Sequence, residues 1–370
     1  MYVFERRMLF LLFLLVAVAA GIYIFMQQAI FGADPADARL ERIQKYPNYK
    51  EGAFQNLVET PMSTPEGGYW KILTGFFSKP ANTVPIDTIP SIRTNLRELP
   101  SDSPSLVWFG HSSYLLHIQG KNILVDPVFS GHASPVWFMG GSFPGTDTYQ
   151  PDDFPELDIV ILSHDHYDHL DYKTILKLKD KTKHFYTAVG VGAHLEHWGI
   201  SAEKITELYW WESTQIDSST SLTATPARHF SGRKFSRGKS LWTSYVFKLN
   251  GLNLYIGGDS GYEQHFKEIG EKFGPFNLAI LECGQYNPIW PYIHMMPEQL
   301  PEACKDLKAS NLLPVHWSKF ELSFHSWNEP IERLLKASDG GNLNVITPMI
   351  GEVVNLAAPD NHTKWWRGLQ

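Results

Sequence analysis

The chain has 370 residues, of which 43% are hydrophobic and 19% are charged, a composition typical of folded globular proteins and not of disordered ones. Its formal net charge of −7 argues against nucleic acid as the main partner, because binding a phosphate backbone usually needs a basic surface. Two cysteines, Cys283 and Cys304, are too few for a disulfide-built scaffold, and they leave open either one bridge or two small buried thiols.

The first predicted element is a membrane helix. Residues 8–26 are apolar except for Gly21, and as a helix they would span roughly 28 Å, close to the thickness of a bilayer's hydrocarbon core. A cleaved signal peptide with its site at 17–19 is the alternative, but the apolar run continues to Met26 and favours an uncleaved anchor. Arg6 and Arg7 predict that residues 1–7 are cytoplasmic and that the rest lies on the extracytoplasmic side, periplasmic in a bacterium.

Residues 27–104 are predicted to form a linker and an irregular lead-in to the catalytic body. Nine prolines break this stretch, and only residues 37–45 have a helical pattern. From residue 105 onward short apolar runs typical of strands begin, and 105–370 is predicted to be the hydrolase domain.

Within this domain, short apolar and β-branched runs predict strands at 105–109, 114–118, 122–125, 158–162, 184–188, 222–224, 241–249, 252–256, 277–281, 312–315 and 345–350. Amphipathic stretches predict helices at 172–179, 262–273 and 297–308. Strand-rich halves interleaved with such helices favour an α/β fold in which two sheets pack face to face with helices outside them.

A cluster of metal-binding side chains follows the predicted strand at 158–162. His164, His166, Asp168 and His169 lie within six residues, at the point where the chain leaves the sheet. Burying so many imidazoles and carboxylates together is unfavourable unless a cation binds them. The spacing HxHxDH is far more specific than a pair of isolated histidines, and it predicts a site with nitrogen and oxygen ligands.

Three more candidate ligands, His229, Asp259 and His316, each follow a predicted strand. A single histidine or aspartate in such a place is more often an ordinary loop or core residue. Here all three share the context of the HxHxDH cluster, which favours a common metal site. Asp126, also at a strand end, is expected to accept the outer N–H of a ligand histidine.

With these residues the chain resembles the metallo-β-lactamase superfamily. The neighbourhoods at 108–112, 124–127, 228–233, 240–242 and 294–298 are similar to the branch of N-acyl-phosphatidylethanolamine-hydrolysing phospholipases D and its bacterial relatives. The resemblance implies a four-layer αβ/βα sandwich, here with an N-terminal membrane helix. It also implies two zinc ions, with manganese or iron as alternatives, held by His164, His166 and His229 on one side and by Asp168, His169 and His316 on the other, with Asp259 bridging both.

The resemblance further implies catalytic roles for Asp168 and for His294, the latter facing the reaction centre. His111 and His325 are weaker candidates for contacting the substrate, and Arg228 and Arg233 could bind a phosphate or form surface salt bridges.

We therefore predict a membrane-anchored binuclear zinc hydrolase that cleaves a phosphodiester, most plausibly of an N-acyl phospholipid, by a metal-bridging hydroxide. A lactonase or esterase using the same site is the alternative hypothesis, and a non-catalytic metal-binding membrane protein is a third hypothesis. The predicted partners are a phospholipid or other ester substrate and the membrane; the oligomeric state stays open.

Overall fold

The computed structural model describes residues 2–64, 68, 70–71, 74–75, 78–360 and 363–370. The other positions of the predicted lead-in, Pro65 among them, lie outside the described residues. The chain begins with helix α1 (Tyr2–Met26). Within Phe4–Met26 the most apolar 18-residue window has a mean hydropathy of 2.8, and no part of this window is buried against the body. By length and composition this helix fits a membrane span or a signal sequence.

The first of two seven-stranded sheets has the strand order β16-β3-β4-β5-β6-β7-β8. Strands β5 to β8 run parallel, and β16, β3, β4 and β5 pair antiparallel. The strands are β3 (Ser105–Trp108), β4 (Tyr114–Ile118), β5 (Lys121–Val125), β6 (Leu157–Leu162), β7 (Thr182–Ala188), β8 (Ile205–Leu208) and β16 (Val353–Asn355).

The second sheet has the order β15-β14-β13-β12-β11-β10-β9, and its strands β12 to β15 run parallel. The strands are β9 (Ser213–Asp217), β10 (Thr220–Thr225), β11 (Ser244–Leu249), β12 (Leu252–Ile256), β13 (Leu278–Glu282), β14 (Asn311–Val315) and β15 (Asn344–Val345). A separate hairpin joins β1 (Tyr49–Lys50) and β2 (Ala53–Phe54).

One hydrophobic core joins both sheets and the helices. It contains Val160 of β6 and Phe247 of β11, together with the apolar faces of the helices. These helices are α2 (Asp37–Ile43), α3 (Tyr172–Leu178), α4 (Gly192–His197), α5 (His265–Phe273), α6 (Leu300–Leu307) and α7 (Glu329–Ala337). The predicted α/β sandwich of two sheets is confirmed. Both cysteines are buried and unpaired.

Two predicted strands are longer than the real ones. The strand predicted at 241–249 begins only at Ser244, because the backbone N–H groups of Leu241 and Thr243 donate to carbonyls beside the other sheet instead. The strand predicted at 345–350 is reduced to β15, and Pro348 cannot donate to a ladder. Strands β1, β2, β8, β9 and β16 and helix α7 were not predicted. Strands β8 and β9 have the sequences ITEL and STQID, which lack a continuous apolar run.

Residues of the predicted linker and lead-in contribute to the core. Ile43, Phe54, Ile89, Leu96 and Leu99 are all buried members of it. The described part of residues 27–104 therefore packs along the body over much of its length.

Candidate metal centre

The HxHxDH cluster lies where β6 ends. This strand runs parallel to both neighbours, so the chain leaves it at the carboxyl edge of the sheet. Directly afterwards, the backbone N–H groups of His169 and Leu170 both donate to the carbonyl of His166, at 3.1 and 2.8 Å. This turn folds the loop back on itself and brings the four side chains of the cluster to one place.

The second sheet supplies the three remaining candidates from its own strand ends. His229 follows β10, Asp259 follows β12, and His316 directly follows β14. His316 has a left-handed backbone (φ 68°), and its N–H donates to the carbonyl of His111 at 2.9 Å. This bond links the ends of the two sheets, so the site lies between them.

The structure brings the candidate ligands together as two groups that meet at one carboxylate. The atoms available for binding within each group lie within 4.8 Å of one another. One group is His164, His166, His229 and Asp259, and the other is His111, Asp168, His169 and His316, although His111 was not predicted as a ligand; a smaller set of Asp259, His294 and His316 overlaps both. Asp259 reaches both, since its carboxylate oxygens lie 3.6 Å from Nε2 of His229 and 3.2 Å from Nε2 of His169.

The protonation of several of these groups suits a cation, although, against the effect of burial, Asp259 raises the pKa of His169 and of His316. Burial lowers the pKa of His164 and of His229 well below the ordinary value, which favours the neutral imidazole that binds metals. Burial alone would raise the pKa of Asp168 and of Asp259. The surrounding histidines, His169 foremost, hold the pKa of both carboxyls well below its ordinary value, so both are charged at neutral pH.

Two buried polar atoms at the centre show that the residues fit a metal. Nε2 of His169 and Oδ1 of Asp259 are buried 3.2 Å apart, yet neither has a hydrogen-bond partner among the described residues. Unpaired buried polar atoms are strongly unfavourable, and a divalent cation between them would satisfy both. The donor set of imidazoles and carboxylates is the one that zinc accepts, and it also suits manganese or iron.

Outer hydrogen bonds fix the ring orientations. Nδ1–H of His169 donates to Oδ2 of Asp126 at 2.8 Å, and Nδ1–H of His229 donates to the carbonyl of Ile293 at 2.8 Å. The hydroxyl of Ser163 donates to Asp126 and lies 3.0 Å from Nδ1 of His164, whose N–H it accepts. Asp126 therefore occupies the predicted place, and these bonds leave Nε2 of each ring to face the centre.

His294 lies beside the second group, as its ligating atom is close to those of Asp259 and His316. Its Nδ1 is 3.2 Å from Oε2 of Glu282, a buried carboxylate at the end of β13. Glu282 was not predicted from the sequence, although a charge that ends an otherwise apolar strand is a signal that could have identified it.

The remaining predicted residues have different surroundings. His111 is fully buried, with Nε2 2.9 Å from Oδ2 of Asp168, so it contacts a candidate ligand. His325 is held by the backbone of Gln285 and by the carbonyl of Ser326, and it lies outside the cavity lining described next. The guanidinium groups of Arg228 and Arg233 are also held by nearby carbonyls and hydroxyls, and neither lines that cavity.

A cavity of about 450 Å³ opens onto both ligand groups. Besides candidate ligands and His294, its wall contains an apolar set and a few polar groups: Met62, Ser63, Phe230, Arg237, Gln285, Trp290, Ile293 and Leu322. Of these only Phe230 lies in a neighbourhood picked out in the sequence, that at 228–233. The others come from loops without any periodic pattern, and they meet only through tertiary folding.

Comparisons with known proteins agree with this site. The model of the family described as "Beta-lactamase superfamily domain" matches residues 121–317, more than half of the chain. An uncharacterised protein of Mycobacterium tuberculosis is 39% identical over 344 residues, which is 92% of each chain. N-acyl-phosphatidylethanolamine-hydrolysing phospholipase D 1 of Caenorhabditis elegans is 31% identical over 269 residues, 66% of this chain and 74% of that protein.

Among solved structures, the metallo hydrolase Igni18 of Ignicoccus hospitalis superposes with a TM-score of 0.53 at 21% identity, over 68% of this chain and 97% of that one. This likeness concerns the fold. Together with the sequence relatives, it confirms the resemblance drawn from the motifs. The chain belongs to the β-lactamase superfamily, and it is a metal-dependent hydrolase with the metallo-β-lactamase fold.

Proposed function

We propose that this protein is a membrane-anchored hydrolase with two zinc ions that cleaves a phosphodiester, in particular that of an N-acyl phospholipid. The similarity to the phospholipase D of C. elegans supports the substrate class. The two ligand groups, with histidines from both within 3.6 Å of Asp259, support the number of metals.

The composition of the cavity wall carries the proposal. Beside the candidate ligands, Met62, Trp290 and Leu322 offer an apolar surface, and Arg237 offers a cation. An acyl chain suits the apolar surface, and a phosphate oxygen suits the guanidinium of Arg237. A phospholipid phosphodiester combines both features in one molecule.

Bound divalent cations would supply an activated water and would neutralise negative charge on the phosphoryl oxygens. The chain's own residues would orient the substrate. Glu282 accepts the Nδ1–H of His294 and orients the ring, so that His294 in its imidazolium form would donate its Nε2–H to a phosphoryl oxygen or transfer that proton to the leaving group. Arg237 would hold a second phosphoryl oxygen.

Membrane anchoring is part of the proposal. Helix α1 has the length and composition of a span, and Arg6 and Arg7 precede most of it. Under the positive-inside rule the N-terminus would be cytoplasmic and the hydrolase body extracytoplasmic.

The test compares two substrate panels on one preparation. The full-length chain would be stripped with a chelator, restored with zinc and assayed on N-acyl phosphatidylethanolamine and other phosphodiesters and, in parallel, on lactones and carboxylic esters. The expected result is faster turnover of the lipid phosphodiester. Faster turnover of a lactone would support the alternative hydrolase, and no phosphodiester turnover at all would refute the proposal.

A further inference from the structure

The segment that follows the membrane helix is docked on the body rather than free. This exit segment (residues 27–34) contains Phe31, which is buried against the body. The indole N–H of Trp198 donates to the carbonyl of Ala29 at 2.7 Å, and Arg233 donates from two nitrogens to the carbonyl of Ile30, at 2.8 and 3.2 Å. Very little chain therefore separates the end of α1 from the surface that it contacts.

The docked backbone is also closely fitted. Gly32 has a left-handed backbone (φ 66°), and a Cβ there would lie 2.0 Å from Nδ1 of His194. That same nitrogen accepts the N–H of Ala33 at 3.1 Å. The exit segment thus has one defined position, which ties the orientation of the body to that of α1.

The exit segment lies beside the metal motif. Besides Ile30, the guanidinium of Arg233 holds the carbonyls of Asp165 and Leu170, which lie within the loop that carries the candidate ligands. In addition, the ring of Phe31 contacts that of Tyr167 edge-on, at 6.4 Å between centroids. The end of α1 and the metal centre are therefore on the same side of the body.

A positively charged loop connects the exit segment to the cavity at the metal centre. This basic loop (residues 232–239, sequence GRKFSRGK) carries four cationic side chains and no acidic one, although the whole chain has a net charge of −7. At one end Arg233 holds the exit segment, and further along Arg237 lines the cavity. Between them Phe235 is 84% exposed, so an aromatic ring lies at the surface next to the exposed Arg237.

We propose that the basic loop docks on the bilayer that α1 crosses, with Phe235 inserted among the lipids and Arg237, at the cavity wall, meeting the phosphate of a lipid head group. Lys234 lies 3.7 Å from Asp34 and holds the loop to the exit segment. Aromatic side chains favour the membrane interface, and cations are attracted to an anionic membrane surface. The mouth of the cavity would then face the lipid surface, so that a lipid substrate reaches the metals without crossing water. This inference rests on the membrane anchoring in the proposed function.

The experiment places an environment-sensitive probe on the loop of the full-length chain. Both native cysteines are buried, so a single added cysteine can be labelled selectively. Phe235→Cys and the control Ser218→Cys would each be labelled with a nitrobenzoxadiazole dye in nanodiscs of phosphatidylcholine and phosphatidylglycerol. Ser218 is exposed in the turn between β9 and β10, at the end of β10 opposite to His229.

The expected result is a blue-shifted emission from Phe235→Cys and its quenching by spin-labelled lipids, with neither effect in Ser218→Cys. Quenching of Phe235→Cys by aqueous iodide, equal to that of the control, would overturn the inference. The readout does not use catalysis. A lipid-protected probe in a chain without phosphodiester turnover would refute the proposed substrate alone, whereas a water-exposed probe in an active chain would refute the docking alone.

Discussion

Replacing Asp126 with Asn should weaken metal binding without removing a ligand. Asp126 is buried, and its carboxylate accepts three hydrogen bonds. They come from the Nδ1–H of His169 at 2.8 Å, from the hydroxyl of Ser163 at 2.7 Å and from the backbone N–H of Ser163 at 2.8 Å. The substitution changes hydrogen bonding while keeping the size of the side chain.

The expected loss of zinc affinity follows from the loss of one hydrogen-bond acceptor at residue 126. The amide oxygen of Asn can still accept the backbone N–H of Ser163, but its NH₂ group would face the Nδ1–H of His169, and two donors repel. A hydrogen bond to a charged group contributes about 1.5–3 kcal/mol. Since about 1.4 kcal/mol is tenfold in an equilibrium constant, we expect zinc affinity to fall about 10- to 100-fold, the range typical of such outer partners.

The assay is competition for zinc between the full-length chain and a chromophoric chelator. Asp158→Asn is the matched control, because Asp158 is an aspartate on β6, the strand that pairs with the one preceding Asp126, but it lies near the end of β6 opposite to the HxHxDH cluster. Its carboxylate accepts the backbone N–H of Asn122 at 2.9 Å, and zinc affinity should not change when it is replaced. Equal zinc affinity of Asp126→Asn and the unmodified chain would refute the reasoning.

Three further predictions concern other parts of the molecule. Glu282→Gln should lower phosphodiester turnover about 10- to 100-fold, with a smaller change in zinc content, because His294 loses its orienting partner; steady-state kinetics beside metal analysis would check this. Burial, with a smaller effect of a nearby guanidinium, lowers the pKa of His265 from 6.5 to about 3. The unfolded chain therefore binds one more proton between these values, and stability should fall as the pH drops below 6.5, by at most about 1.4 kcal/mol per pH unit. Denaturant unfolding at pH 7 and pH 5 should show a smaller difference for His265→Gln. Gly32→Ala should lower the thermal midpoint more than Gly251→Ala, because both have a left-handed backbone but only the first adds a clash, which costs about 1–3 kcal/mol.

The metal centre was largely predictable from sequence because its residues sit at strand ends. His164 to His169 follow a strand made unmistakable by its continuous apolar run, and His316 directly follows another. The local pattern of apolar residues therefore places these side chains at the ends of strands. The family resemblance then assigns them to two metal ions. The structure places these residues in groups that could hold a metal ion, with His111 in one of them.

The rest of the site depends on contacts between distant loops. Arg237 and Met62 line the cavity, but neither belongs to a periodic segment, so no local pattern marks them. His325 had the residue type of a substrate contact, yet tertiary packing holds its ring against the backbone of Gln285, away from the cavity lining. In the same way, the exit segment looked like a flexible linker because its contacts to Arg233 are long-range.

The most direct test of the account is a zinc titration of the metal-free, full-length chain, with phosphodiester hydrolysis recorded at each step. Two ligand groups that meet at Asp259 predict that activity rises until two zinc ions are bound per chain and then stays constant. Activity that is complete with one zinc ion, or no phosphodiester hydrolysis with two bound, would contradict it.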